Sequence, residues 1–354
     1  MISLNTLKEI LSEYNITDEL LIIDPYGNGL INNTWKVIKG DSPYILQRIN
    51  NNVFKKPPDI EYNIHLISEY LKTNHPDYLF VAPVTTINGK EMIKHPKGYF
   101  RLFPFIKNSY TVDVATTPQQ AFEAARQFGL FTKMLSEFPA ASLKTTIPDF
   151  HNLVLRARQF KDAGMHGNTE RVKNSVKSIQ FILDHTDILN KFQAIQTNKN
   201  FKLRVTHHDT KISNVLLGEN GRGLCVIDLD TVMPGYFISD VGDMMRTYLS
   251  PVSEEEKDFS KIEIREDFFR AVVEGYLQEM KTELTETEIN YLIYAGKFMI
   301  YMQAIRFLTD HLNNDEYYGA VYKDQNYVRA NNQITLLQRL LEKEIILKKI
   351  VLKN

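Results

Sequence analysis

The sequence predicts an α+β fold with two lobes, a small β-rich N-terminal lobe and a larger, mostly helical C-terminal lobe. Short strand-like patterns separated by turns occupy most of the first hundred residues. From Pro118 onward, apolar residues recur at helical spacing instead. Residues 99–106 between the two regions are apolar and lack the glycine and serine of a flexible linker. We therefore divide the chain into residues 1–103 and residues 104–354.

The N-terminal lobe is predicted to combine five short strands with two helices. Apolar residues at helical spacing predict helices over residues 6–14 and 59–72. Strand patterns occupy residues 19–38, which contain a turn, residues 44–50, and residues 81–100, where Asn88-Gly89 indicates a hairpin.

The C-terminal lobe is predicted to be helical except for residues 203–230, which have strand character. The helical patterns cover residues 119–138, 150–162, 170–189, 267–280, 286–312 and 334–347. A helix that carries Asp243 and Arg246, three residues apart, is expected to hold a structural ion pair.

Composition excludes several classes of function. The 42 basic and 43 acidic residues give a net charge of −1, which argues against a nucleic-acid partner or a polybasic membrane anchor. The chain has no long apolar run and its start does not resemble a signal peptide, so we expect a cytoplasmic protein. Cys225, the only cysteine, cannot form an internal disulfide and is expected to be a small core residue.

The pattern His207-x-Asp209-x-x-x-x-Asn214, followed by Asp228 and Asp230, carries the clearest chemical signal. Phosphoryl transfer from ATP needs a carboxylate beside the acceptor hydroxyl, together with oxygen ligands for Mg²⁺. We assign Asp209 as the catalytic carboxylate, against the alternative of a capping residue in a surface turn. The spacing allows one hairpin to present Asp209, Asn214 and Asp228 to one cleft.

The remaining residues of this motif are assigned to metal binding or to support of the loop. Asn214 and Asp228 are expected to bind Mg²⁺. Asp230 shares a strand face with Asp228, so it either binds a second Mg²⁺ or orders the following loop. His207 is expected to brace the loop, and His208 either contacts the acceptor or is structural.

The nucleotide is expected to bind in the N-terminal lobe. Gly27 and Gly29 flank a turn where backbone N–H groups can approach phosphates, with further donors from Asn33 and Thr34, although a plain hairpin turn explains the glycines equally well. Aromatic residues near the lobe boundary can sandwich adenine or simply pack between the lobes: Phe103 and Phe105.

The order of glycine turn, basic strand, helix, hinge, catalytic loop and metal aspartate resembles that of protein-kinase-like phosphotransferases. Those enzymes grip the ATP phosphates with a lysine on the third strand. Here that strand carries Gln47 and Arg48 instead. Arg48 retains a permanent cation able to bind phosphate in a bidentate manner, with Glu61 as a possible ion partner.

Several segments are similar to the bacterial N-acetylhexosamine 1-kinases, a branch of the aminoglycoside phosphotransferase superfamily. The similarity runs from about residue 20 to 330, and residues 44–57, 207–217, 225–235, 239–246 and 305–318 carry it. It implies ATP- and Mg²⁺-dependent phosphorylation of the anomeric hydroxyl of N-acetylglucosamine and N-acetylgalactosamine. The implied sugar contacts are Arg306 and Tyr317, while Arg306 and Asp310 also have the spacing of a helix ion pair.

Two alternatives remain open. The acceptor can be another sugar, choline or an aminoglycoside, although cationic acceptors require an acidic cleft or an aromatic cage. A nucleotide-binding pseudokinase is the alternative from another class of protein. Pseudokinases tend to lose the transfer or metal residues, whereas this chain retains all three. The oligomeric state is not indicated by the sequence.

Overall fold

The computed structural model describes residues 2–17, 20–27 and 31–353. The strands within these ranges are β1 Ile22–Pro25, β2 Asn33–Lys39, β3 Ser42–Ile49, β4 Ile93–His95, β5 Gly98–Pro104, β6 Ser109–Tyr110, β7 Arg204–Thr206, β8 Val215–Gly218, β9 Gly223–Val226 and β10 Met233–Gly235. The helices are α1 Leu4–Ser12, α2 Pro57–Asn74, α3 Pro118–Met134, α4 Leu153–His166, α5 Thr169–Asn174, α6 Val176–Asp184, α7 Asp187–Thr197, α8 Phe237–Tyr248, α9 Glu266–Met280, α10 Glu286–Ile289, α11 Leu292–Leu312, α12 Gln325–Glu342 and α13 Glu344–Val351. The predicted α+β class, with a β-rich first part and a mostly helical second part, is confirmed.

A five-stranded antiparallel sheet in the order β1-β2-β3-β5-β4 forms the N-terminal lobe. Directly paired residues share one face of a sheet. Leu46 and its partner Leu102 therefore lie on the face that packs against α1 in a small hydrophobic core of its own. Gln47 and its partner Arg101 lie on the opposite face. The predicted boundary after residue 103 falls within β5, which ends at Pro104.

The hairpin predicted around Asn88-Gly89 is wrong, because the hairpin is formed by β4 and β5, further along the chain. Gly89 does lie in a turn, with φ of 73°. The segment before it donates from Val84 N to Leu102 O at 2.7 Å but forms no strand. Pro83 has no N–H to donate, which interrupts the ladder at this point.

The helical lobe is built around α11, which is buried on almost all sides. The helix predicted over residues 170–189 is divided into α5, α6 and the start of α7. Ser175 and His185 leave helical geometry at the two junctions, consistent with their weak helix propensity. Among the described helices, none combines the length and apolar character needed to cross a bilayer.

Helix α2 connects the N-terminal lobe to the helical lobe through Asn63, which is fully buried. Its amide nitrogen donates to Lys144 O at 2.8 Å and to Val232 O at 2.9 Å, while its oxygen accepts from Lys144 N at 2.8 Å. These bonds hold α2 beside the turn that carries Asp230.

Candidate active site

The hairpin of β8 and β9 brings Asp209, Asn214 and Asp228 into one cleft. Val215 pairs with Val226, and Ile227 N donates to Asn214 O at 2.9 Å, so the segments before β8 and after β9 lie side by side. Asn214 Nδ2 donates to Asp209 O at 2.8 Å and to Asp209 Oδ2 at 3.2 Å. The Asp209 side chain is 22% exposed and therefore remains accessible to an acceptor.

Asp228 is held in an unusual backbone conformation at the end of this hairpin. Its φ of 59° lies in the left-handed region, which surrounding structure must enforce in a non-glycine residue. Its carboxylate opens into the cleft and accepts no hydrogen bond from the described residues. Enclosure by the protein, together with the negative charges of Asp230 and Asp209, raises the pKa of Asp228 to about 7.

The oxygen atoms at this point fit a hard divalent cation. Asn214 uses its amide nitrogen on Asp209, which leaves Oδ1 free to face a cation. Asp228 supplies a carboxylate whose pKa is raised by desolvation and, after that, by the negative charges of Asp230 and Asp209, which a cation would offset. Carboxylate and amide oxygens are typical Mg²⁺ ligands, and Mg²⁺ in kinase-type sites completes its coordination with phosphates and water. The described residues contain no cluster of three or more His, Cys, Asp or Glu side chains suited to a metal by themselves.

Asp230 is engaged by protein groups on both carboxylate oxygens. Arg101 Nη2 lies 2.5 Å from Oδ1, and Asn32 Nδ2 donates to Oδ2 at 2.8 Å. Asp230 is 2% exposed. Of the two roles that the sequence left open, this arrangement favours ordering of the surrounding segments over a second metal site.

The loop that carries Asp209 is held by hydrogen bonds to two carboxylates of α8. Asp240 accepts hydrogen bonds from the backbone N–H groups of His207 at 2.9 Å and His208 at 2.8 Å, and burial raises its pKa to about 7. Asp243 accepts from Thr210 N at 3.0 Å and forms the predicted ion pair with Arg246 at 2.9 Å. The loop conformation is therefore set by buried carboxylates that take no part in the chemistry.

His207 braces the loop as the sequence predicts. One of its ring nitrogens, Nε2, lies 2.9 Å from Ile227 O, and its own carbonyl accepts from Thr231 Oγ1 at 2.7 Å. His207 thereby ties the catalytic loop to the segment that carries Asp228.

His208 forms a buried pair with His151, a residue that the sequence did not indicate. Thr206 Oγ1 donates its only hydrogen to Met233 O at 3.1 Å, so it accepts from His208 Nε2 at 2.8 Å. His208 Nδ1 is then the acceptor for His151 Nδ1–H at 3.3 Å. This assignment leaves a lone pair on His151 Nε2.

Burial keeps both histidines neutral. It lowers the pKa of His208 to about 4 and the pKa of His151 well below its ordinary value. His208 also has a φ of 66°. That value lies in the left-handed region, which glycine adopts with less strain than histidine.

Lys211 is a further cation that sequence reasoning missed. Its Nζ lies 3.4 Å from Asp209 Oδ1, and the charge of Asp209 raises the pKa of Lys211. Its side chain is half-exposed and faces the same cleft. Lys211 lies two residues after Asp209, and this proximity in the sequence could have indicated it as a cation of the site.

The predicted nucleotide residues differ in their placement. Gly29 lies outside the described residues, while Gly27 has a φ of 77° that suits glycine. Asn33 is exposed, and Thr34 is paired with Gln47 on the cleft face. The two aromatic residues lie beside cations: Phe103 is 5.0 Å from Arg101, and Phe105 is 4.2 Å from Lys36.

Arg48 faces away from the catalytic cleft. It is paired with Phe100, on the sheet face that packs toward α1, and its side chain crosses Gly98. The proposed partner Glu61 instead accepts from backbone N–H groups of Glu91 and Met92. Arg101, one strand over, is the arginine that reaches Asp230 beside the cleft. Arg48 faces away because successive side chains along a strand point to opposite faces, and its neighbour Gln47 occupies the face toward the cleft.

A pocket of about 210 Å³ is lined by Arg156, Arg306, Tyr317 and Tyr318, among others, and so includes both residues predicted to contact the acceptor sugar. The Arg306 guanidinium donates to Gln303 at 2.7 Å and lies 5.4 Å from the Tyr318 ring and 5.9 Å from the Phe150 ring. Phe150 stacks on His151 at 4.5 Å, which connects the pocket to the histidine pair. Tyr317 is 70% exposed at the rim.

Asp310 has a structural role. Its carboxylate accepts from Tyr317 N at 2.7 Å, Tyr318 N at 2.9 Å and Asn326 Nδ2 at 3.0 Å. It therefore orders the loop after α11, and the helix ion pair between Arg306 and Asp310 is absent.

The model of the Phosphotransferase enzyme family matches residues 22–280, which include the N-terminal sheet and the whole catalytic hairpin. The chain belongs to this family. Similar solved structures include a microcompartment-associated aminopropanol kinase, with a TM-score of 0.69 and 13% identity over 98% of each chain. At such identity the likeness to this phosphotransferase shows the fold.

Two further solved structures are similar to this phosphotransferase. A spectinomycin phosphotransferase, solved with ADP and spectinomycin, has a TM-score of 0.62 and 15% identity over 97% of this chain and 99% of its own. A choline kinase from Cryptosporidium parvum has a TM-score of 0.59 and 12% identity over 98% of each chain. The family model makes this protein a phosphotransferase, and the solved structures show that it shares their fold.

Proposed function

We propose that the protein transfers the γ-phosphoryl group of ATP to the anomeric hydroxyl of an N-acetylhexosamine, giving a sugar 1-phosphate. The observation that supports phosphotransfer most directly is the contact of Asn214 with Asp209. Asp228, beside them, accepts no hydrogen bond from the described residues and has a raised pKa. The three groups have the arrangement that transfer to a hydroxyl requires.

The proposed roles follow from this geometry. Asp209 orients the acceptor hydroxyl and takes its proton. Asn214 and Asp228 would hold Mg²⁺, which neutralises developing charge on the transferred group. Lys211, 3.4 Å from Asp209, adds a cation beside the path of the transferred phosphoryl group.

The hydrogen-bond donors of the acceptor pocket support a sugar as the acceptor. The guanidinium groups of Arg156 and Arg306 line the pocket without an ion pair to any described carboxylate. Burial lowers the pKa of Arg156, and the positive charge of Arg306 is the second cause of this shift. Sugar oxygens can accept hydrogen bonds from both arginines, while Asp162 and Asp310, which also line the pocket, balance the two positive charges.

His151 does not line this pocket, but it stacks on Phe150, whose ring lies 5.9 Å from the Arg306 guanidinium, and it can add an acceptor next to the pocket. Its Nε2 lone pair can receive a hydrogen bond from a sugar hydroxyl, and the low pKa keeps that lone pair available at neutral pH. A polar site built to pair with specific hydroxyls discriminates strongly against molecules that lack them.

We expect ATP and Mg²⁺ to support phosphorylation of N-acetylglucosamine or N-acetylgalactosamine and not of choline, aminopropanol or spectinomycin. A panel of these acceptors, with ³¹P NMR of each product, tests this expectation. An anomeric phosphate on the sugar is the predicted signal. A sugar 6-phosphate, or turnover with the amines alone, would contradict the assignment of the acceptor. ATP binding without a product from any acceptor would favour the pseudokinase.

Replacing Arg306 with Met is expected to lower kcat/KM for the sugar by about 10- to 100-fold, the effect of losing hydrogen bonds from a charged donor. The KM for ATP is expected to stay near that of the wild type. Arg158→Met is the matched control, because it removes the same charge from an exposed site on α4, outside the pocket. Equal losses in the two variants would indicate a general charge effect and no specific contact.

A further inference from the structure

A buried arginine on β5 lies at the junction of the two lobes. Arg101 is 1% exposed, and its Nε and Nη2 donate to Gln47 Oε1 at 3.1 and 2.9 Å. Nη2 also lies 2.5 Å from Asp230 Oδ1. Side-chain contacts on two sides therefore fix the plane of the guanidinium.

One nitrogen of this guanidinium has no acceptor among the described residues. Arg101 Nη1 is buried and makes no hydrogen bond. Leaving a buried donor unpaired costs about 1–3 kcal/mol, and more when the group is charged. Asp230 Oδ1, although it is ion-paired with Arg101, also accepts no hydrogen bond from the described residues. An unpaired buried donor of this kind indicates a place where a ligand supplies the acceptor.

The surroundings of Arg101 indicate which ligand this is. On one side the guanidinium lies 5.0 Å from the ring of Phe103, near the segment that joins the lobes. On the other side it meets Asp230, and its charge lowers the pKa of Asp228 against the larger effects that raise it. A nucleotide with its base near the lobe junction and its terminal phosphate at Asp228 would pass its inner phosphates beside Arg101.

We propose that Arg101 is the cation that grips the inner phosphates of the nucleotide, in place of the strand-three lysine that this chain lacks. This inference rests on the proposed use of ATP. Gln47, which is paired with Arg101 across β3 and β5, occupies the third strand and orients the guanidinium. A planar guanidinium can bind two phosphate oxygens at once, which an ammonium cannot do with the same geometry.

The test compares ADP with adenosine, which differs in lacking the phosphates. Calorimetry in EDTA removes any contribution from a divalent metal. Arg101→Met is expected to weaken ADP binding by about 10- to 100-fold and to change adenosine binding by less than about twofold. Arg48→Met, which removes an arginine from the other face of the same sheet, is expected to leave the ratio of the two affinities unchanged.

Arg101→Lys provides the measurement if the Met variant does not fold, since it keeps a charge beside Asp230. Lysine is expected to weaken ADP binding while adenosine binding stays unchanged, because the bidentate contact is lost. An unchanged ratio of ADP to adenosine affinity in the Arg101 variants would overturn the inference, as would a lower ratio in Arg48→Met alone. A wild-type protein that bound neither ligand would overturn the proposed function, and this inference with it.

Discussion

Asp209→Asn is expected to reduce kcat by about 10²- to 10⁴-fold, the usual contribution of a positioned general base. The substitution keeps the size of the side chain. It also keeps an oxygen that can accept from Asn214 Nδ2, which lies 3.2 Å from Asp209 Oδ2 in the wild-type protein. It removes the charge that orients the acceptor and takes its proton. ATP affinity, measured by calorimetry, and the melting temperature are expected to stay close to those of the wild type, because the loop is held by Asp240 and Asp243.

Asp184→Asn is the control for this experiment. Asp184 is exposed at the end of α6 and does not line the pocket, so the substitution removes one negative charge without touching the catalytic loop or the proposed acceptor site. Its kcat is expected to remain within about twofold of the wild-type value, as surface charges contribute little. A near-normal kcat for Asp209→Asn would remove Asp209 from its proposed role. A loss of ATP binding in that variant would point instead to a structural defect.

The residues of the catalytic hairpin could be predicted because their relation is local. Asp209, Asn214 and Asp228 lie within twenty residues, and a hairpin needs only its pairing to bring such positions together. The spacing of polar residues between apolar runs was therefore sufficient. The same holds for the ion pair of Asp243 with Arg246, which lies within one turn of a helix.

Contacts that depend on strand register could not be predicted. Arg48 and Arg101 both lie in apolar strand patterns, and a sequence does not reveal which face of a strand turns toward a distant aspartate. The pairing of Gln47 with Arg101 decides this, and the two residues lie 54 positions apart. His151 was missed because its partner His208 lies 57 positions away and no local pattern relates the two.

Replacing Glu288 with Gln is expected to lower the free energy of unfolding by about 3–5 kcal/mol, the cost of removing one partner from a buried ion pair. Glu288 is fully buried, and its two oxygens accept from Arg204 at 2.6 and 2.8 Å and from the backbone N–H groups of Lys202 and Thr285. The amide would turn one acceptor into a donor facing these N–H groups. Urea and thermal unfolding followed by circular dichroism give the measurement.

The surface pair of Arg339 with Glu342 provides the matched control, because both side chains are about half-exposed at a separation of 3.0 Å. Glu342→Gln is expected to cost less than about 1 kcal/mol.

Arg204 opens β7, which ends at Thr206, the partner of His208. The Glu288 variant should nevertheless keep its kcat below the unfolding transition, since the catalytic loop has its own bonds to Asp240. A loss of kcat in the folded variant, without loss of stability, would contradict this prediction. It would show that the ion pair of Arg204 with Glu288 positions the catalytic loop.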